Sequence, residues 1–164
     1  MASQDQQQKL TQRPVEVLVV DNSPTARRAI GGLLARDPAI RLIGQAETGR
    51  QAAQPCNRLK PGVVLLDAVM PDMDGVKATR KLMEHGAPPV LIVTTYAESA
   101  DMDVVFRAVR AGAVDVVSKS DVLGPDADPQ LQTDSLSKVK GAVAARPKPC
   151  GEHESPHTDT GKLR

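Results

Sequence analysis

Aromatic residues are almost missing from this chain. In 164 residues there is no tryptophan, and Tyr96 and Phe106 are the only Tyr and Phe. A base-stacking surface for single-stranded nucleic acid needs several such rings, so that class is excluded. Charge of one sign is missing too. Lys plus Arg is 21 and Asp plus Glu is 20, a net charge of +1 that attracts neither nucleic acid nor an anionic membrane. Cysteine is scarce: Cys56 and Cys150 share no paired spacing, which argues against a zinc site and a disulfide framework. The start, "MASQDQQQKLTQRP", lacks a signal-peptide core, and no apolar run approaches bilayer length. These absences predict a soluble cytoplasmic protein with a Val, Leu, Ile, Ala and Met core, and no nucleic-acid or membrane partner.

What is present is alternation. Short, β-branched apolar runs occur at 15–20, 40–43, 63–66, 90–93 and 114–117. They show little polar interruption, as strands buried on both faces of a parallel sheet do. Helical stripes lie between them. Ala26, Ile30, Leu33 and Leu34 form one, Met102, Val105, Phe106 and Val109 another, and Val76, Thr79, Leu82 and Met83 a weaker third. Ser23 can cap the first helix, with Pro24 at its first position. Pro55 sits inside "TGRQAAQPCNRLKPG", which predicts a short, kinked or late-starting helix. Strand and helix thus alternate, which gives an α/β, doubly wound five-stranded parallel sheet with right-handed crossovers.

The domain is expected over 14–122, after a disordered tail at 1–13. Residues 123–146 read as a loop and a last helix with Leu136, Val139 and Val143 on one face. Residues 147–164 read as a disordered tail.

In open α/β sheets ligands bind beyond the carboxyl ends of the strands. Here those ends carry Asp21-Asn22, Asp67, Thr94-Thr95 and Lys119. Each has an ordinary reading taken singly: turn chemistry and a helix cap for Asp21-Asn22, a loop acid, β-formers, a solvated lysine. Together, in this order at these strand ends, they make a convergent site. Carboxylate and amide oxygens suit a hard cation such as Mg²⁺. No Gly-rich phosphate loop follows the first strand, which argues against a nucleotide enzyme.

The motifs "VLVVDNS", "PGVVLLDAVMPDMDG", "PPVLIVTT" and "AGAVDVVSK" resemble those of a two-component response-regulator receiver domain, over residues 15–119. "RDPAIRLIGQAETG", "GAPPVLIVTT" and "FRAVRAGAVDVVSK" are most similar to the receiver of the chemotaxis protein-glutamate methylesterase. "TTYAE" and the "KS" ending also resemble receivers of helix-turn-helix transcription regulators. The resemblance implies a flavodoxin-like fold with strand order 2-1-3-4-5. It implies that Asp67 accepts a phosphoryl group from a sensor histidine kinase, giving an acyl phosphate. Mg²⁺ would be held by Asp21, Asn22, Asp67 and the Val69 backbone carbonyl. Thr94 and Thr95 would answer phosphorylation, Lys119 would neutralise phosphoryl charge, and Val116 would occupy the switch position on the fifth strand. An output protein would read the altered surface.

Four departures from the family pattern stand out. Asn22 replaces one carboxylate of the acidic pair. Val116 replaces the aromatic switch residue. Ser120 replaces the proline after the lysine, and Pro55 interrupts the second helix. The residues after Lys119, with His153 and His157, leave no room for a methylesterase domain. The expectation is a stand-alone receiver with self-phosphorylation chemistry only. The alternatives are a phosphorylation-independent pseudo-receiver and a truncated methylesterase.

Overall fold

The computed structural model describes residues 13–95 and 99–145; the expected tails lie outside them apart from Arg13. Five parallel strands form one sheet: β1 (Val15–Val20), β2 (Ile40–Ala46), β3 (Val63–Asp67), β4 (Val90–Thr94) and β5 (Asp115–Ser118). Their order is β2-β1-β3-β4-β5, as expected. Five helices connect and flank them: α1 (Pro24–Leu34), α2 (Gly49–Leu59), α3 (Gly75–Glu84), α4 (Ser99–Arg110) and α5 (Pro129–Ala142). A single helical turn, Lys119–Val122, follows β5.

The apolar strands work because successive side chains point to opposite faces and both faces are covered. Leu18, Val20, Val64, Leu66, Val90, Ile92 and Val116 face α2, α3 and α4. Val17, Val19, Val63, Leu65, Leu91 and Val93 face α1 and α5. With no large ring available, small residues bring the helices close: Ala52, Ala78, Ala108 and Ala111 are all buried.

Side-chain caps start α1, α3 and α5, the first at Ser23 as expected, while the last begins at Pro129, four residues before the stretch expected to form it. The Ser23 hydroxyl accepts from the Ala26 N–H at 3.2 Å ahead of Pro24. Asp74 and Asp128 cap α3 and α5 through the N–H groups of Lys77 and Gln130. Val76, Thr79 and Leu82 of the third stripe are buried.

Four expectations need correction. β2 runs on to Ala46, three residues past the apolar run, because β1 continues to pair with it. Ile43 is the extra residue of a bulge there: Val17 pairs with Leu42 and Leu18 with Gly44. α2 is not short: it continues through Pro55 for 11 residues, held by the Thr48 cap and the buried Ala52 and Cys56. On α4, Phe106 and Val109 face solvent, and Ala108 and Ala111 make the buried contact. The periodic stripe there marks the wrong face because alanines allow the closer approach to the sheet; the Met102 and Val105 side chains lie outside the described residues. Arg110 instead lies 5.8 Å over the exposed Phe106 ring. On α5, Val139 is buried but Val143 is exposed, because the helix ends at Ala142 and Val143 is already its cap.

α5 is tied down by charge as well as by apolar contact. Lys138 donates to the Val116 carbonyl at 2.9 Å, Arg36 to Gln132 at 2.6 Å, and Lys140 to Asp37 at 2.6 Å. The Lys140 hydrogen bond and the Ala39 N–H hold the Asp37 carboxyl below the usual aspartate range, against a smaller opposing effect of burial. A depressed acid stabilises the fold above its unfolded pKa and loses that contribution as pH falls through the folded value. Asp37→Asn keeps the oxygen that bonds Ala39 and removes only the charge. It should cost about 0.5–1 kcal/mol at pH 7, the range of a partly exposed ion pair. Denaturant unfolding of both proteins should show that difference closing in acid.

Candidate functional site

The parallel ladder brings three strand ends together. Asp21 lies one residue past β1, Asp67 closes β3, and Lys119 follows β5. Both carboxylates are buried, at 1% and 5% exposure. The Lys119 ammonium stands between them, 2.6 Å from Asp21 Oδ2 and 3.1 Å from Asp67 Oδ1. Two buried negative charges share one positive charge, so the centre carries excess negative charge.

Asp21 is held at every polar atom but one. Its N–H donates to the Ala46 carbonyl at 3.1 Å, extending the β1–β2 ladder. Its Oδ1 accepts from the Ser23 N–H at 2.8 Å. Its carbonyl accepts from Arg27 Nη1 at 2.6 Å. Oδ2 alone, fully buried, makes no hydrogen bond; the approach of Lys119 is close but off hydrogen-bond geometry.

Asp67 Oδ1 also accepts from the Val69 N–H at 3.2 Å. The loop after it closes through Gly75, whose N–H donates to the Ala68 carbonyl at 2.9 Å. A Cβ at Gly75 would lie 2.6 Å from the Asp67 carbonyl oxygen and 2.8 Å from Ala68 Cα, both backbone atoms. Any side chain there would push the loop off the carboxylate. Gly75 and Arg27 are the two site residues that sequence reasoning missed. The "DG" ending of "MPDMDG" was a signal for the first; nothing in the sequence marks which atom Arg27 reaches.

The other expected residues take definite places. Thr94 is buried at the end of β4, paired in register with Ser118, while Thr95 is exposed. Val69 is 66% exposed and Asn22 is exposed at the rim. Val116 is buried in the α2–α4 side core. Ser118 and Ser120 share a hydroxyl contact at 3.1 Å, and no cis peptide occurs among the described residues. Asp21, Asp67 and Lys119 therefore meet directly; Asn22, Thr94, Thr95 and Val69 border them, and Val116 lies in the core on the strand that leads to Lys119.

Residues 17–122 match the response regulator receiver domain family. The chain belongs to that family. This receiver is 40% identical over 138 residues to a protein-glutamate methylesterase/protein-glutamine glutaminase of Myxococcus xanthus, covering 81% of this chain and 38% of the relative. A Geobacter metallireducens protein of the same name is 43% identical over 100 residues, 61% of this chain and 29% of the relative. The chain thus spans about a third of the length of the curated relatives it matches. Among solved structures, the response regulator domain of Thermotoga maritima CheB superposes with a TM-score of 0.71 at 28% identity, covering 82% of this chain and all of that one. The signal receiver domain of Mycobacterium tuberculosis NarL follows at 0.64 and 27%, covering 79% and 98%. The fold, the family and the likeness to methylesterase receivers all agree with the sequence reading. Among the described residues no helix is long and apolar enough to cross a membrane.

Receiver domains use Mg²⁺, and the residues present fit it. Among the described residues no three His, Cys, Asp or Glu converge as a full cage. Mg²⁺ does not ask for one: it keeps several waters and takes one or two carboxylates. Asp21 Oδ2 is a buried carboxylate oxygen with no hydrogen bond, beside a second carboxylate, and Asn22 adds an amide at the rim.

Burial pushes the Asp67 carboxyl above the usual aspartate range; Lys119 pulls it down and Asp21 pushes it up, with a net rise. A raised acid contributes stability that is complete below its unfolded pKa and is lost as pH rises through the folded value. In EDTA at pH 7, Asp67→Asn should therefore melt a few degrees higher than the parent. Thermal melts over pH should show that gain vanish below about pH 4, where aspartate is protonated in both folded and unfolded chains.

Proposed function

We propose that this receiver accepts a phosphoryl group on Asp67 from the phosphohistidine of a sensor kinase and passes the signal on by docking to an output protein. The convergence of the Lys119 ammonium on Asp21 and Asp67 carries this reading. Asp67 is the nucleophile: a carboxylate oxygen attacks phosphorus in line, the P–N bond to the kinase histidine breaks, and that nitrogen keeps the electron pair. The product is an acyl phosphate on Asp67. Lys119, with Nζ already 3.1 Å from Asp67 Oδ1, stabilises charge on the transferring oxygens. Asp21 and Asp67, with Asn22 and the Val69 carbonyl at the rim, would hold Mg²⁺, which when bound neutralises phosphoryl charge. Thr94, buried at the adjacent strand end, donates a hydrogen bond to the new phosphoryl oxygen and, with Thr95 beside it, answers phosphorylation. The relatives are methylesterases, so a chemotaxis-type pathway and a cytoplasmic setting are the natural context.

Asn22 favours a second reading, an interaction module that works without phosphorylation, because an amide brings no charge to the cation. One experiment separates them. The full chain is incubated with Mg²⁺ and a small phosphodonor and read by intact mass. A single base-labile phosphoryl adduct should form, vanish in Asp67→Asn, and form about a hundredfold more slowly in Lys119→Ala. Asn22→Asp should bind Mg²⁺ more tightly and label faster. An adduct that persists equally in Asp67→Asn sinks the assignment; no labelling in the parent with rescue in Asn22→Asp favours the second reading.

A further inference from the structure

Arg27 is a nearly buried guanidinium, 11% exposed, at the rim of a site that would take a cation. That placement is electrostatically adverse unless it does something. Its Nη1 donates to the Asp21 carbonyl at 2.6 Å, and its Nη2 lies 3.2 Å from Glu47 Oε1. The carbonyl it holds belongs to the peptide that joins Asp21 to Asn22. That peptide is planar, so anchoring its oxygen fixes the backbone from which the Asp21 side chain projects and the point from which Asn22 departs, while the Ser23 N–H holds Oδ1 and turns Oδ2 to the other side. The same bond occupies the Asp21 carbonyl, so Asp21 offers side-chain oxygen rather than backbone oxygen. Together with the Ala46 and Ser23 bonds, it leaves Oδ2 as the one Asp21 atom without a hydrogen bond.

Glu47 completes the device. It follows β2, the strand beside β1, and its side chain is 64% exposed. Its carboxylate offsets the charge that Arg27 would otherwise present to a divalent cation. With position 22 carrying no charge, the excess negative charge comes from Asp21 and Asp67 alone, so an unbalanced guanidinium beside them would offset part of it.

We propose that Arg27 and Glu47 form a positioning pair for cation binding. Arg27 fixes the Asp21–Asn22 peptide so that Asp21 Oδ2 faces the site, and Glu47 neutralises Arg27 beside the cation. The inference rests on the Mg²⁺-dependent reading above.

Calorimetric titration of the full chain with Mg²⁺ alone tests it, at low and at high potassium chloride, beside thermal melts in EDTA. Arg27→Gln should raise the Mg²⁺ Kd about tenfold, as loss of an outer-shell partner does. Arg27→Lys should recover part of that affinity, because one donor still reaches the carbonyl. Glu47→Gln should weaken binding about threefold at low salt and much less at high salt, where the exposed charge is screened. The Arg27→Gln defect should persist in salt. If Arg27→Gln melts lower but binds Mg²⁺ like the parent, Arg27 is merely structural and the proposal fails. If Arg27→Gln does not fold, Glu47→Gln decides: an unchanged Kd at low salt overturns the pair. If the parent shows no Mg²⁺ binding, the Mg²⁺-dependent reading fails separately, and Arg27→Gln is then judged in the Asn22→Asp background. An unchanged Kd there, or no binding in either background, overturns the positioning role.

Discussion

The contact of one lysine with two buried carboxylates organises the functional end of this protein. Lys119 reaches Asp21 and Asp67 only because β1, β3 and β5 run parallel and end at the same edge. Reversing any of these strands would carry its charge to the opposite edge of the sheet. A buried carboxylate with no partner costs several kcal/mol, so the three groups are mutually dependent. Asp67 remains raised even with Lys119 beside it, because burial and the second carboxylate outweigh a single ammonium. The centre is therefore short of positive charge, the condition in which a divalent cation or a charge-neutralising reaction is favoured.

The rest of the fold maintains that edge with modest materials. Aliphatic side chains fill both faces of the sheet, and alanines let α2, α3 and α4 approach closely. Close approach also explains Gly75, where a Cβ would collide with the backbone of Asp67 and Ala68. On the opposite face α5 has few buried apolar residues, chiefly Val139 and Ala142, and takes much of its anchorage from Lys138, Lys140 and Gln132. Lys138 grips the Val116 carbonyl of β5, the strand that delivers Lys119. Lys138 also reaches Asp115 Oδ1 on the same strand at 3.3 Å, and Leu136 of α5 packs against the Leu33–Val117 cluster, so polar and apolar contacts together join the lysine strand to α5.

Much of the fold was legible because β1, β3, β4 and β5 are short apolar runs rich in Val, Leu and Ile, and because Ser23 and Pro24 mark the start of the first helix. The errors came where periodicity was asked to choose a face. Phe106 and Val109 obey helical spacing as well as Ile30 and Leu34 do, yet only the second pair is buried. Spacing says that residues share a face; the size of the opposing residues decides whether that face is used. Ala108 and Ala111 won on α4 because they permit a shorter distance to the sheet. Pro55 misled for a related reason: the capped, buried remainder of α2 outweighed one lost hydrogen bond.

By itself the sequence determined which strands exist, the residue types at their ends, and the charge missing at Asn22. These are local properties, readable from order and chemistry. Only the tertiary structure decided that Asp21 Oδ2 is the atom left without a hydrogen bond, that Lys119 touches both acids, and that Arg27 clamps the peptide between Asp21 and Asn22. Those facts depend on distances between residues far apart in the chain. Such distances arise from packing the whole sheet, which no local pattern encodes.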